Sequence, residues 1–216
     1  MNIKILIKYF FRAIVFIIAF IVGVLVNWKI FSLLSYFYYS VKSKIYSFRF
    51  QFFGNGTLIR SFDSLIGPEN ISIGENTVLG FRTVLTAWRV YNKNTYDPKI
   101  IIGSNVSIGN DCHITAINKI VISDFVLLGS KITITDNSHG EFSETGIQIP
   151  PILRDLKSKG PVIIGHSVWI GDKATILPGV TIGANSIVAA NSVVRHCVPS
   201  NVIVAGSPAV IVKSLI

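Results

Sequence analysis

Residues 162–194 read VIIGHSVWIGDKATILPGVTIGANSIVAANSVV, and their rhythm decides the fold. Ile164, Ile170, Ile176, Ile182, Val188 and Val194 fall six residues apart, and Gly165, Gly171, Gly183 and Ala189 follow four of them. A period of six is neither the 3.6 of a helix nor the 2 of a lone strand. It suits a coil of three short flat strands per turn, with one aliphatic side chain per face pointing inward. A glycine or other small residue after the aliphatic lets the chain turn each corner. Stacked coils then bury the aliphatics as a continuous ladder, and strands pair between coils rather than within one.

The same spacing extends outward. Ile102, Ile108 and Ile114 keep it; after two extra residues so do Ile122, Leu128 and Ile134. Earlier, Ile73, Leu79 and Leu85 follow it, with Ile66 one residue out of register. These sixteen repeats, from about Ile66 to Pro199, give roughly five coils at three repeats per turn. The expected fold is all-β, a parallel β-helix preceded by an N-terminal hydrophobic helix. The expected organisation is an arm over 1–50 and a β-helix domain over 51–216.

Two stretches cannot continue the ladder. Trp88–Lys99 (WRVYNKNTYDPK) is polar and aromatic, and His139–Gly160 (HGEFSETGIQIPPILRDLKSKG) is longer still. Loops held on a rigid scaffold are where binding and catalytic groups concentrate. The interruptions at 88–99 and 139–160 are therefore where function is expected.

The charge is unevenly placed. Of 20 basic residues, seven (Lys4, Lys8, Arg12, Lys29, Lys42, Lys44, Arg49) lie in the first 50 positions, which hold no acid; the other 166 residues hold 13 basic and 11 acidic. The net charge of +9 thus divides as +7 and +2. The cationic positions alternate with Phe, Ile, Leu and Tyr, which suits an anionic lipid surface better than a phosphate backbone. Nucleic acid is not an expected partner. The sixteen uncharged residues 13–28 would rise about 24 Å as a helix, short of the ~30 Å hydrocarbon core. Snorkelling of Arg12 and Lys29 extends the usable stretch to Tyr9–Leu34, with Trp28, Tyr36, Tyr38 and Tyr39 as interfacial aromatics. A cleaved leader fits poorly, because no small-x-small site follows Val26. Membrane anchoring, spanning or interfacial, is the expectation; a hydrophobic helix buried against the domain or other copies is the alternative.

Two cysteines, Cys112 and Cys197, make neither a disulfide framework nor a C-x-x-C knuckle. Cys112 falls at a repeat position that favours small residues. Histidine suits acid–base work near neutrality, and there are four, His113, His139, His166 and His196, separated by 26, 27 and 30 residues. No close pair suggests a metal site, so no metal is expected.

The segments IGSNVSIGNDCHI (102–114), ITDNSHG (134–140), VWIGDKATILPGVTIG (168–183) and the ending VIVAGSPAVIVK (202–213) resemble the hexapeptide-repeat acyltransferases. The nearest likeness is to bacterial O-acetyltransferases of lipopolysaccharide, O-antigen and capsule synthesis, and more distantly to galactoside and maltose acetyltransferases. The resemblance covers residues 101–213. It implies a left-handed β-helix, a homotrimer with active sites between subunits, and acetyl-CoA as co-substrate with a glycan or sugar acceptor.

It also implies site residues. His139 ends its hexad where the catalytic histidine of the resembling enzymes stands, and is the expected general base. Asp136, three residues earlier, would orient the imidazole or bind a sugar hydroxyl; a solvated corner is the alternative. His113 is the rival base or a supporting partner. Toward acetyl-CoA, Asp172 and Ala190 take places near the pantetheine, Arg195 that of a polar contact, and Lys213 that of a basic residue near the phosphates. Val210 stands where the family often has a second basic residue, so the phosphate contacts are thinner here. His196 takes the place of a cofactor-contacting lysine. Trp169 would wall the acetyl end, or simply pack on the next coil. In the long loop, Glu141, Glu144, Arg154, Asp155, Lys157 and Lys159 offer sugar or phosphate contacts, and Pro150–Pro151 stiffens the segment.

The leading expectation is a membrane-associated O-acetyltransferase acting on a surface-glycan sugar at the cytoplasmic face of the inner membrane. Competing readings are acetylation of a small soluble acceptor, a catalytically inactive hexapeptide scaffold, and a zinc hydratase that would need three converging histidines.

Overall fold

The structure, a computed structural model, describes residues 3–25, 28–140 and 148–216. The chain forms two compact units, Met1–Val41 and Lys42–Ile216. In the first, α1 (Ile3–Leu25) contains a 20-residue apolar stretch, Lys4–Gly23, of mean hydropathy 2.5. None of that stretch is buried. Helix α2 (Trp28–Ser47) begins in the first unit and ends in the second.

The second unit is a parallel β-helix of three sheets, and the register of its strands repeats the six-residue rhythm. On the first sheet, Ile73, Ile102, Ile122, Ile164 and Ile182 stack in one column. On the second, the column is Ile59, Leu79, Ile108, Leu128, Ile170, Val188 and Val204. On the third it is Leu65, Leu85, Ile114, Ile134, Ile176 and Val194. Apart from the partly buried Leu65, each of these side chains is at most 2% exposed. Burying an aliphatic side chain of this size stabilises by about 1.5–3 kcal/mol, so the repeat supplies most of the driving force.

The helix is longer than the rhythm alone indicates. Coils begin at Phe52 rather than Ile66, and the first and third sheets carry six strands each. The apparent slip at Ile66 also resolves: a bulge between Phe62 and Ser64 puts Leu65, not Ile66, in the ladder beside Leu85. The start of the β-helix is closed by the end of α2. The Ile59 amide donates to Ser43 Oγ (2.7 Å), Lys42 Nζ donates to the Arg60 carbonyl (2.9 Å), and Tyr46 meets Phe62 edge-on at 5.4 Å. A stack of coils needs such a cap, because its terminal coil otherwise exposes unpaired backbone and core. The boundary between units accordingly falls at Val41/Lys42, before the end of the basic stretch.

The corners follow from close approach. A Cβ on Gly109 would fall inside contact distance of the Gly129 carbonyl one coil on, and one on Gly80 would do the same to Gly109. Cys112 is buried among the coils, its thiol donating to the Gly129 carbonyl at 3.2 Å, while Cys197 is exposed.

Both interruptions carry antiparallel ribbons. The first holds the hairpin Val90–Tyr91 with Asn94–Thr95. The second opens and closes as a ribbon of Asn137–His139 with Leu156–Ser158, in which His139 lies opposite Leu156.

Candidate active site

His139 leaves the third sheet through Thr133–Thr135 and enters the second ribbon, with its ring exposed. Tyr91 reaches it from the first interruption, 48 residues away in sequence: its hydroxyl lies 3.4 Å from His139 Nδ1. The two rings meet edge-on at 5.5 Å, and Trp88 backs Tyr91 at 6.1 Å. The hairpin and the ribbon are tied further by Tyr96, whose hydroxyl donates to the Leu156 carbonyl at 3.0 Å, and by Asn92, whose amide donates to the Arg154 carbonyl at 3.4 Å. Burial raises the Tyr96 phenol above its ordinary pKa, so it stays a neutral donor.

Asp136 does not orient His139, and this corrects the expectation. Its carboxylate is fully buried and accepts the amides of Ile117 (2.9 Å) and Asn118 (2.8 Å) and the side-chain amide of Asn137 (3.0 Å). One coil and two coils below, the matching inward positions are Ala116 and Ala87. Asp136 therefore fills a small-residue column and closes the corner where the chain leaves Ala116. The signal was in the repeat: Asp136 falls in register with inward alanines.

His113 lies on the third sheet beside Thr133 of the next coil. Desolvation by its neighbours lowers its pKa although the ring's outer side is exposed.

The other expected site residues divide among three places. Arg195 and His196 line a groove of ≈ 610 Å³ with Ser138 from the ribbon, Lys159 just after it, and Leu177, Pro178 and Pro208. Its charged side chains are all basic. Trp169, half exposed, and Lys213 stand in one outward column of the second sheet, through Ile187 and Ile203. Asp172 and Ala190 sit at the corner between the second and third sheets, where Asp172 Oδ1 accepts the Ser130 amide at 2.8 Å. On one chain, then, Arg195 is grouped with the ribbon beside His139, while Trp169 and Lys213 share another sheet.

Of the loop residues, Glu141 and Glu144 lie outside the described residues. Arg154 Nε donates to the Ile149 carbonyl at 2.8 Å. Asp155 and Lys157 line a second cavity, of ≈ 390 Å³, with Asn94, Tyr96, Asn118 and Ser158. Sequence reasoning missed Tyr91 and Ser138; the aromatic, polar composition of 88–99 was the only trace of the first. Among the described residues, no group of three or more His, Cys, Asp or Glu side chains could hold a metal ion.

Known proteins share the fold and the repeat. The model of the bacterial transferase hexapeptide family (six repeats) matches residues 161–196. The chain is 36% identical over 166 residues to an Escherichia coli K12 protein provisionally named lipopolysaccharide biosynthesis O-acetyl transferase WbbJ, covering 75% of this chain and 81% of that one. It is 35% identical over 119 residues to the galactoside O-acetyltransferase of the same organism, covering 52% and 56%. A crystal structure of a variant of AntD, an N-acyltransferase from Bacillus cereus, in complex with dTDP-4-amino-4,6-dideoxyglucose and coenzyme A, superposes with a TM-score of 0.62 at 25% identity, over 80% of this chain and 88% of that one. Sharing the repeat, the coil and most of its length with such enzymes, the chain belongs to the hexapeptide-repeat acetyltransferase family.

Proposed function

We propose that this protein transfers an acetyl group from acetyl-CoA to a sugar hydroxyl of a bacterial surface glycan, lipopolysaccharide O-antigen or capsule, with His139 as general base. The observation that carries the reading is the position of His139. It stands on a ribbon that breaks the coil, with Tyr91 against Nδ1 and a basic groove alongside. With Nδ1–H donating to the Tyr91 oxygen, the Nε2 lone pair is free to take a proton. The base removes the proton from the acceptor hydroxyl as that oxygen attacks the thioester carbonyl. The carbon–sulfur bond then breaks, and the leaving thiolate takes the proton back from the imidazolium.

Arg195 and His196, with Lys159, suit the anionic end of the donor or its polar arm. Trp169, Asp172, Ala190 and Lys213 are proposed as further acetyl-CoA contacts. Because Trp169 and Lys213 stand on a different sheet from Arg195 and His139, a donor touching all of them would lie between chains. This favours a homotrimer of left-handed β-helices with sites in the clefts. The arm within residues 1–50 would hold the enzyme at the cytoplasmic face of the inner membrane, where acetyl-CoA and lipid-linked glycans meet; α1 is apolar enough to cross.

The test is His139→Ala, assayed for acetyl transfer to the glycan by mass spectrometry. A loss of about 10²–10⁴-fold is expected for removal of a general base. Near-normal turnover would refute the mechanism.

A further inference from the structure

We infer that the ≈ 390 Å³ cavity between the 90–95 hairpin and the 137–158 ribbon is the binding site for a pyranose ring of the acceptor glycan. The inference rests on the saccharide reading above and assigns the acceptor a place. The cavity falls within the range of small-molecule sites, about 300–1,000 Å³. Its floor belongs to the coil, through Asn118; one wall comes from the hairpin, through Asn94 and Tyr96; the other comes from the ribbon, through Asp155, Lys157 and Ser158. It exists because both interruptions of the repeat leave the β-helix on the same side, where the Tyr96 hydroxyl ties hairpin to ribbon at the Leu156 carbonyl.

Three features fit a sugar. The side chains supply donors and acceptors together, amides, hydroxyls, a carboxylate and an ammonium, which is what a ring of hydroxyls needs on every edge. The opposite charges of Asp155 and Lys157 leave the lining near neutrality, unlike the wholly basic charges of the groove that holds Arg195, His196 and Lys159. Finally, Leu156, part of the cavity lining, lies directly opposite His139 in the ribbon. The ribbon thus contributes Ser138 to a cationic groove suited to a nucleotide thioester and Leu156, Lys157 and Ser158 to a neutral cavity suited to a saccharide, and His139, the residue after Ser138, pairs with Leu156.

The experiment is saturation-transfer NMR with a panel of methyl hexopyranosides on the full-length protein saturated with coenzyme A, paired with mass-spectrometric assay of their acetylation. Asp155→Ala is the first variant, since its side chain is exposed on the ribbon, and Asn118→Ala is the second. Thermal melts establish that each is folded. Loss of one charged hydrogen-bond partner is expected to weaken glycoside binding roughly tenfold or more while coenzyme A affinity stays unchanged. Arg195→Ala should do the reverse. If folded Asp155→Ala and Asn118→Ala bind a methyl hexopyranoside as the wild type does, the cavity is not the acceptor site, although the saccharide reading stands. If the wild-type protein neither binds nor acetylates any of the panel, the saccharide reading falls and takes the cavity with it.

Discussion

Removing a single oxygen atom, by Tyr91→Phe, separates a positioning role for Tyr91 from a packing role. The ring remains, and with it the edge-on contacts to Trp88 at 6.1 Å and His139 at 5.5 Å. What goes is the 3.4 Å contact between the hydroxyl and His139 Nδ1. A neutral hydrogen bond contributes about 0.5–1.5 kcal/mol, and one to a charged group about 1.5–3 kcal/mol. If Nδ1–H donates to Tyr91, the bond strengthens as the imidazole becomes imidazolium. Only that difference accelerates the reaction. At 3.4 Å the bond is long, so the difference belongs at the low end, about 1 kcal/mol, or roughly a fivefold loss of kcat.

The assay is steady-state acetyl transfer with both substrates varied, together with ¹⁵N NMR of the His139 ring. Tyr91→Phe should lower kcat and kcat/KM by the same several-fold factor and leave KM for acetyl-CoA unchanged, the pattern of an interaction made only in the transition state. The NMR should show Nδ1–H as the main tautomer in the wild type and a mixture in the variant. Two results would refute the reasoning. Unchanged kcat with an unchanged tautomer would reduce Tyr91 to a packing residue. A wild-type ring protonated at Nε2 would mean that the Tyr91 hydroxyl donates, leaving Nε2 unable to act as base.

Three further outcomes are expected from the structure. Asp136→Ala leaves the buried amide of Ile117 and that of Asn118 without their acceptor, at about 1–3 kcal/mol each, so the melting temperature should drop sharply while kcat per folded molecule changes little; a stable but inactive Asp136→Ala would return Asp136 to the chemistry. His113, whose pKa is lowered on folding, binds protons more readily in the unfolded chain, so stability should fall as pH drops through about 6.5 and below. His113→Gln should flatten that part of the melting curve against pH, and an unaltered slope would show that other groups set it. Deleting residues 1–41 should move the protein from the membrane to the soluble fraction of a cell lysate, because α1 presents its apolar stretch unburied; persistent membrane association would assign binding to the Lys42–Ile216 unit.

The ladder was readable because one property decides each of its positions. The three stacked columns from Ile73 to Val194 are buried aliphatics, and glycine corners such as Gly80 and Gly109 sit against a neighbouring backbone, so spacing and geometry coincide there. The first coil escaped because aromatic rings replace part of that pattern: Phe53 and Phe62 pack against Tyr46 and Phe50 near the cap, and the bulge at Phe62–Ser64 shifts the count by one. Within the site, His139 could be found because it ends a hexad. Its partner could not. Tyr91 is brought to it by two excursions from different coils, and nothing in a six-residue period fixes the length or direction of an excursion. Asp136 was misassigned for a different reason: proximity in sequence to His139 outweighed its column, which faces the core.

Why the excursions and not the coils should carry the chemistry follows from strand spacing. Strands of neighbouring coils lie about 4.8 Å apart, so outward side chains form closely spaced columns such as Val84, His113, Thr133, Thr175 and Val193. Such a column is a nearly flat surface. It can support an extended ligand but cannot enclose a sugar. Enclosure requires chain that departs from the coil, and departure leaves backbone groups unpaired. Each excursion meets that cost by pairing with itself as an antiparallel ribbon, and Tyr96 then ties the two together. The result is a wall of pocket standing on a flat scaffold. On this view, lengthening or trimming residues 90–97 should change which acceptor is bound without disturbing the inward ladder beneath, because the inward columns stop at Ala87 and resume at Ile100. Relatives with the same coils and different excursions would then differ in acceptor while keeping the same donor.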